Sequence, residues 1–320
     1  MLKEIVLSAL TALIPSATDP PLATNHLINT MAGKFHYAFC CTIKYPHGSR
    51  YEKQIDKPNS GDIMNLFMDP RDAKSYISNS QKARILTEKW TAENIYCIHC
   101  KSEHLTKYEN NKPVADFYCE YCKQEYELKG KKGAFGNKIT AGSYHTMIAR
   151  INAKTKPDFL GIEYTSDFKI RNFFVIPKHF FVPTIIEKRP PLHSSAQRAG
   201  WIGCNILLSS IPMSGRIFLV KEGNEISHSI VRAQVENVNL LKTMNMNKRA
   251  WTIDIMFCIE KIGLRHFTLS DIYNFESYLQ DRHPNNKHVR DKIRQQIQIL
   301  RDHGYIEFLG TGHYKLLPSI

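Results

Sequence analysis

No stretch of this 320-residue sequence is apolar for long enough to span a bilayer as a helix, which leaves a membrane partner out of the reading. A disulfide framework is missing too. Eight cysteines in a chain of this length are not the dense set of a small secreted domain. Four of them form two Cys-x-x-Cys pairs, while Cys40, Cys41, Cys204 and Cys258 are scattered, so we expect a cytoplasmic protein with reduced thiols and metal on the paired ones. Acidic residues are in short supply: 30 Asp and Glu stand against 43 Lys and Arg, a formal net charge of +13. That balance suits a polyanion such as nucleic acid, although any basic protein shares it. The hydrophobic share of 42% is that of a globular protein, and the length allows two modest domains.

The first 63 residues do not read like the remainder. A short apolar run at 2–14 contains Lys3 and faintly resembles a secretion signal, yet Glu4 is misplaced and no small-x-small cleavage site follows. Asp19-Pro20-Pro21 and the stretch beyond it show little periodicity. Met64 and Met68 both precede a well-patterned segment. We expect translation to start at one of them, with residues 1–63 an upstream artefact or a poorly ordered extension.

From Asp69 the pattern is helical, with Ser80, Ala83, Ile85, Leu86 and Trp90 at helix-compatible spacings. Residues 117–118 and 126–129 read as short strands, 139–153 as a helix, and 159–164 and 173–176 as aromatic and β-branched strands. Strands mixed with helices predict an α/β core over residues 64–245. Residues 242–249 are polar and read as a linker to a second domain at 250–320. There, 251–262 is a helical stripe and Thr268-Leu269-Ser270-Asp271 opens a second helix with a cap signal. A third helix at 287–302 turns Val289, Ile293, Ile297 and Leu300 inward, and 304–316 reads as a hairpin. Three helices closed by a hairpin predict a winged helix.

Two kinds of metal chemistry interleave in the first domain. Cys97-x-x-Cys100 and Cys119-x-x-Cys122 lie about twenty residues apart, the spacing of a tetrahedral four-thiolate Zn2+ site. Four protein ligands close such a site, so the ion is expected to be structural; redox cysteines are the alternative. His99 and His104 read as solvated bystanders. Asp116 is followed eleven positions later by Glu127-Leu128-Lys129. On a strand Glu127 and Lys129 share one face while Leu128 packs inward, and Asp116 on the adjacent strand can meet Glu127 across a Mg2+ ion. The metal would activate a water, with Lys129 orienting or deprotonating it. Taken alone the pattern is weak, because a solvated strand face in a lysine-rich chain also shows Glu-Leu-Lys.

At these residues the sequence resembles the DpnI-type methyl-directed restriction endonucleases and the related Dam-replacing proteins, which cut adenine-methylated GATC sites. The strings that carry the resemblance are SNSQKARILTEKW (78–90), ENNKPVADFYC (109–119), ELKGKKG (127–133), RAGWIGCNI (198–206), GRIFLV (215–220) and KIRQQIQILRDHGYIEFLGTGHYKL (292–316). It runs from about Met64 to the end, and residues 1–63 have no counterpart in it. It implies a PD-(D/E)xK nuclease domain with an inserted four-cysteine zinc site, followed by a winged helix. The catalytic roles fall on Asp116, Glu127 and Lys129 and the zinc ligands on the four paired cysteines. The motif's usual Pro-Asp is Ala115-Asp116 here, with Pro113 slightly upstream.

The same resemblance makes Trp201 a wall of a pocket for N6-methyladenine, with a core tryptophan as the alternative. Lys188, Arg189 and Arg198 either contact phosphate or base edges near it or form a solvated basic rim. Lys287, His288, Arg290, Arg294 and Gln295 are candidates for the groove-facing side of the third winged-helix element, and Lys292 and Arg301 for phosphates. A pocket that accepts one methyl discriminates modestly, and two readers on one chain would multiply their selectivities. The expected function is a monomeric type II endonuclease acting on double-stranded DNA methylated at adenine in GATC. The alternatives are a zinc-containing DNA-binding regulator with an inactive nuclease fold, and a repair or junction nuclease that cuts by shape.

Overall fold

A computed structural model of the chain describes residues 64–109, 115–153 and 156–318, and the expectations for residues 1–63 lie outside them. Helix α1 (Asn79–Asn94) has no Gly or Pro to interrupt it, and it buries Leu86, Thr87, Glu88, Trp90 and Thr91. The Trp90 ring lies 5.6 Å from Phe173, and its Nε1 donates to the Asn65 carbonyl at 2.6 Å, which ties the helix to the segment before it.

Strands β1 (Thr106–Lys107), β2 (Phe117–Tyr118) and β3 (Glu125–Lys132) follow as an antiparallel meander. Next come β4 (Lys138–Ser143) and α2 (Tyr144–Asn152), where the sequence predicted one helix over 139–153. Ile139 and Thr140 are β-branched and pair with a later strand; Ser143 then caps the helix by accepting from the Thr146 N–H at 3.4 Å. Strand β5 (Asp158–Tyr164) runs parallel to β3, with β4 and α2 supplying the long crossover a parallel pair needs. Every residue of β5 is buried, as in a strand covered on both faces.

Strands β6 (Ile170–Ile176), β7 (Ile186–Pro191), β8 (Ile202–Leu207), β9 (Ile217–Lys221) and β10 (Asn224–Glu225) lead to helix α3 (His228–Val238). Seven strands form one sheet in the order β1-β2-β3-β5-β6-β9-β10, and β4-β8-β7 form a second. The fold is α/β, as the mixed pattern of the sequence predicts.

The predicted polar linker at 242–249 is replaced by packed structure. A 3-10 turn, Asn239–Thr243, buries Leu240 and Leu241, and helix α4 (Met246–Ile262) starts soon after, capped by Asn245. Lys242 and Lys248 are exposed, so the polar residues that suggested a linker are the outer face of this segment. Strand β11 (His266–Thr268) ends in a capping box in which Thr268 and Asp271 satisfy each other's amides. The predicted second helix divides at Asn274-Phe275 into α5 (Leu269–Tyr273) and α6 (Glu276–Arg282). Helix α7 (Val289–Asp302) buries Val289, Ile293, Ile297 and Leu300, and β12 (Ile306–Gly310) with β13 (His313–Leu316) completes a three-stranded sheet, β11-β13-β12. Helices backed by such a wing make a winged-helix arrangement.

Two acids hold this C-terminal part, Asp254 buried and Glu260 half-buried. Asp254 on α4 takes Arg282 and His283, each at 2.8 Å, and the His283 ring stacks on Trp251 at 3.8 Å. Glu260, a turn and a half further along, accepts the backbone N–H groups of Met213 (2.5 Å) and Ser214 (3.0 Å) and the Tyr305 hydroxyl. The helix is thereby fastened to the turn between β8 and β9.

Candidate active site and metal cluster

The four paired cysteines converge. Their sulfur atoms all lie within 4.8 Å of one another, with Cys97 3.6 Å from Cys122 and Cys100 3.5 Å from Cys119. Tetrahedral Zn–S bonds of about 2.3 Å require sulfurs about 3.8 Å apart, and a disulfide about 2.05 Å, so the spacing fits an ion and excludes a crosslink. Burial pushes the Cys97 thiol up, against the Tyr126 hydroxyl 3.2 Å away, so a cation is what would keep it ionised at neutral pH. Lys123 takes a positive φ of 60° in the turn that brings Cys122 round.

His104 is exposed, as the sequence suggests, but His99 is not a bystander. Its Nε2 lies 2.5 Å from an oxygen of the fully buried Asp158 at the head of β5, whose other oxygen accepts the Lys178 N–H at 2.7 Å. The knuckle is thus docked on the sheet through a side chain that stands between two cysteine ligands. Only the fold could show this, since Asp158 is 59 positions away.

The same meander orders the acidic residues. Phe117 pairs with Tyr126 and Tyr118 with Glu125, so the register continued by one sets Asp116 opposite Glu127. Tyr126 and Leu128 are buried, while Glu125, Glu127 and Lys129 emerge on the other face. Lys129 Nζ stands 2.9 Å from Glu127 Oε1, and Arg150 from α2 reaches within 3.6 Å of Oε2. Asp116 Oδ2 accepts the Leu128 N–H at 2.7 Å. Burial raises the Asp116 carboxyl above the ordinary range, the Leu128 amide and Lys129 pull it back, and Glu127 and Glu88 raise it further. Asp116 and Lys129 line a cavity of about 370 Å³ together with Arg84, Glu88, Lys107 and Tyr108.

Two of these neighbours escape the sequence. Glu88 is 4% exposed and bridges Arg84 (2.5 Å) and Lys107 (2.7 Å), yet it lies two positions from both Leu86 and Trp90 and so looks solvated in the helical pattern. Arg150 lies on the part of 139–153 that is helical as expected, but nothing in the helical pattern points it at Glu127. Spacing to Glu127 carries no signal for either.

Trp201 stands at the foot of the β7–β8 loop, closed by Gly200 N–H to the Leu192 carbonyl at 3.0 Å and Leu192 N–H to the Trp201 carbonyl at 2.9 Å. The ring is half-buried and lies on Gly203, where an added Cβ would meet it at 2.8 Å. Arg198 covers the ring with its guanidinium 5.0 Å from the centroid, and Arg189 also borders Gly203. Lys188 turns away and sits 5.6 Å over Tyr144. Burial raises the Cys204 thiol on β8, with smaller opposing effects from Arg189 and Glu127.

The third helix expected from 287 begins at Val289, so Lys287 and His288 stand just before α7 and Arg290, Arg294 and Gln295 on it, all five exposed. Arg290 pairs with Glu276 at 2.8 Å, and Arg294 donates to the Tyr273 hydroxyl at 2.7 Å, so α5 and α6 hold both arginines in place. Gln295 accepts from Lys292 at 2.7 Å.

Comparison with known families gives two matches. Residues 64–244 match the model of the Dam-replacing family, and residues 247–316 match the Dam-replacing HTH domain.

Proposed function

Because the chain belongs to the Dam-replacing family, a family of methyl-directed restriction endonucleases, we propose that it cuts double-stranded DNA at adenine-methylated GATC sites. The catalytic ion is Mg2+, and a structural Zn2+ sits in the four-cysteine cluster. The observation that carries this reading is the strand register opposing Asp116 to Glu127, with Lys129 beside them at the edge of the 370 Å³ cavity.

The donor set suits a hard cation. Asp116 and Glu127 offer carboxylate oxygens on facing strands, and a divalent ion would offset the burial, and the lesser repulsion from Glu127 and Glu88, that raises Asp116. Bound there, Mg2+ would acidify a water and neutralise charge gathering on the scissile phosphate. Asp116 is steered by the Leu128 amide, which fixes Oδ2 and leaves the second oxygen for the ion. Lys129, held by Glu127, presents an ammonium for a non-bridging phosphate oxygen and orients the attacking water. Arg150 limits the negative charge on Glu127 from the opposite side.

Recognition divides between two surfaces. Trp201, on its glycine platform, forms the wall that takes the methyladenine, with Arg189 and Arg198 toward phosphate or base edges. On α7, the arginines suit guanine and Gln295 suits adenine, with Lys287 and His288 at the leading end of the helix. Lys292 and Arg301 hold phosphates.

The test is incubation of methylated and unmethylated GATC plasmid with the protein and Mg2+. Cutting of the methylated plasmid alone is expected. Binding without cutting would make the chain a regulator, and cutting indifferent to methylation would make it a shape-directed nuclease.

A further inference from the structure

A second concentration of charge starts at Lys156, which lines a cavity with Glu127, Arg150 and Asp158, and continues to where the 3-10 turn Lys178–Phe180 packs against α4 and against the 3-10 turn Asn239–Thr243. Lys156 comes from the approach to β5, Lys178 from the end of β6, Lys242 from the Asn239–Thr243 turn and Arg249 from the first turn of α4. Register sets Phe159 against Ile176, so the approach to β5 and the exit from β6 share one corner of the sheet.

Among the described residues, none of these four cations forms an ion pair. Lys156 Nζ donates to the Ile151 carbonyl at 3.0 Å, Lys178 Nζ to Gln124 at 2.8 Å, and Arg249 reaches only the Met246 sulfur at 3.6 Å. The Arg249 Nε is buried without a partner. The acids that share a cavity with Lys156 are taken elsewhere: Asp158 by His99 and the Lys178 amide, Glu127 by Lys129 and Arg150. Elsewhere the basic side chains of this chain repeatedly find carboxylates, as Lys138 does with Glu187 and Arg171 with Glu222.

The corner is positive enough to act on its own titratable groups. Burial holds the His179 imidazole down to about 3, reinforced by Lys242, His99, Arg249 and Lys156. Burial, with Arg249 and Lys178, brings the Lys156 ammonium down to about 8. Cations gathered and partly desolvated without a counter-charge destabilise a fold unless an anion completes the set. Lys242 is exposed and Lys156, Lys178 and Arg249 are half-buried, so the rim of the set is open to an incoming group.

We propose that Lys156, Lys178, Lys242 and Arg249 form a phosphate site for the DNA backbone at the junction between the sheet and α4. It rests on the reading of the chain as DNA-binding but not on methyl-directed cutting. A backbone phosphate here would bridge the part of the chain that carries Asp116 and the part that carries α7, so the duplex is clamped between its two readers without any base being read.

Binding of an unmethylated duplex lacking GATC, measured by fluorescence anisotropy without Mg2+ across a salt series, tests the site separately from catalysis. Lys242→Gln and the double variant Lys156→Gln/Lys242→Gln are compared with the full chain, and Lys242 is exposed, so the single variant keeps its fold. Each lysine removed is expected to lower the slope of log affinity against log salt by about 0.9. Affinity at low salt should fall severalfold. An unchanged slope in both variants would overturn the proposal. A parallel melting series with inorganic phosphate distinguishes the two sources of the anion. Stabilisation of the wild type by free phosphate that the double variant loses, with DNA slopes unchanged, would overturn the assignment to DNA and give the site to a small anion.

Discussion

The Asp116 carboxylate accepts the main-chain N–H of Leu128 at 2.7 Å, so the acid is tied to the strand that presents Glu127 and Lys129 on its other face. That bond orients the Asp116 side chain against the strand that carries the other two groups. It also leaves a half-buried carboxylate beside two other acids.

The cost of that arrangement is measurable. Burial raises the folded-state pKa of Asp116 above its unfolded value, so its contribution to stability is fully present below the ordinary carboxylate range and is lost as pH rises through the folded value. At neutral pH the ionised group therefore works against the fold. Asp116→Asn is expected to melt no lower than wild type near pH 7, while cleavage falls by at least about a hundredfold. Calorimetry and a single-turnover assay check the two halves. A markedly lower melting temperature would make Asp116 a structural residue.

Methyl reading depends on a flat surface. Gly203 leaves room for the Trp201 ring, and a methyl there would push on it at 2.8 Å. Trp201→Ala is expected to reduce the preference for methylated over unmethylated duplex by about fivefold, the worth of one buried methyl. Gly203→Ala should reduce it in the same direction through displacement of the ring. Unchanged preference in both would return Trp201 to a packing role.

Removal of the thiolate-bound ion should act on the fold. Chelation, or Cys97→Ser, is expected to lower the melting temperature by about 5 °C or more, because the knuckle pins β2 against β3. Metal analysis of the purified chain should give one zinc per molecule. Equal melting before and after chelation would remove zinc from the account of stability.

Glu260 offers a test of how α4 is held. Its carboxylate takes two backbone N–H groups of the 213–215 turn, one exposed and one part-buried, so Glu260→Ala is expected to cost about 0.5–1.5 kcal/mol by denaturant unfolding. Glu260→Gln, which keeps an acceptor oxygen, should cost less. Equal losses in the two variants would show that charge, and not hydrogen bonding, fastens the helix.

What could be read from the sequence was whatever is local. The Cys-x-x-Cys turns, the alternation of Glu127, Leu128 and Lys129, the Thr268–Asp271 cap and the buried stripe of α7 all lie within a few residues of themselves. Strands β5 and β6 announced themselves by aromatic and β-branched runs. The segment 139–153 misled because Tyr144, Met147, Ile148 and Ile151 carry a true helical spacing that invites extension back to Ile139, and only pairing with β8 decides that its first part is a strand. Residues 242–249 looked like a linker because their polar side chains face outward over two buried leucines. Glu88, Arg150 and the His99–Asp158 contact were invisible, since each gains its meaning from a partner brought close by the sheet.

Cleavage of a defined duplex decides whether Asp116, Glu127 and Lys129 make a cutting centre. Zinc-loaded protein with Mg2+ is expected to cut a duplex bearing one fully adenine-methylated GATC at least about tenfold faster than the unmethylated duplex of the same sequence. A methylated duplex left whole after prolonged incubation, or equal cutting of the two, would contradict it.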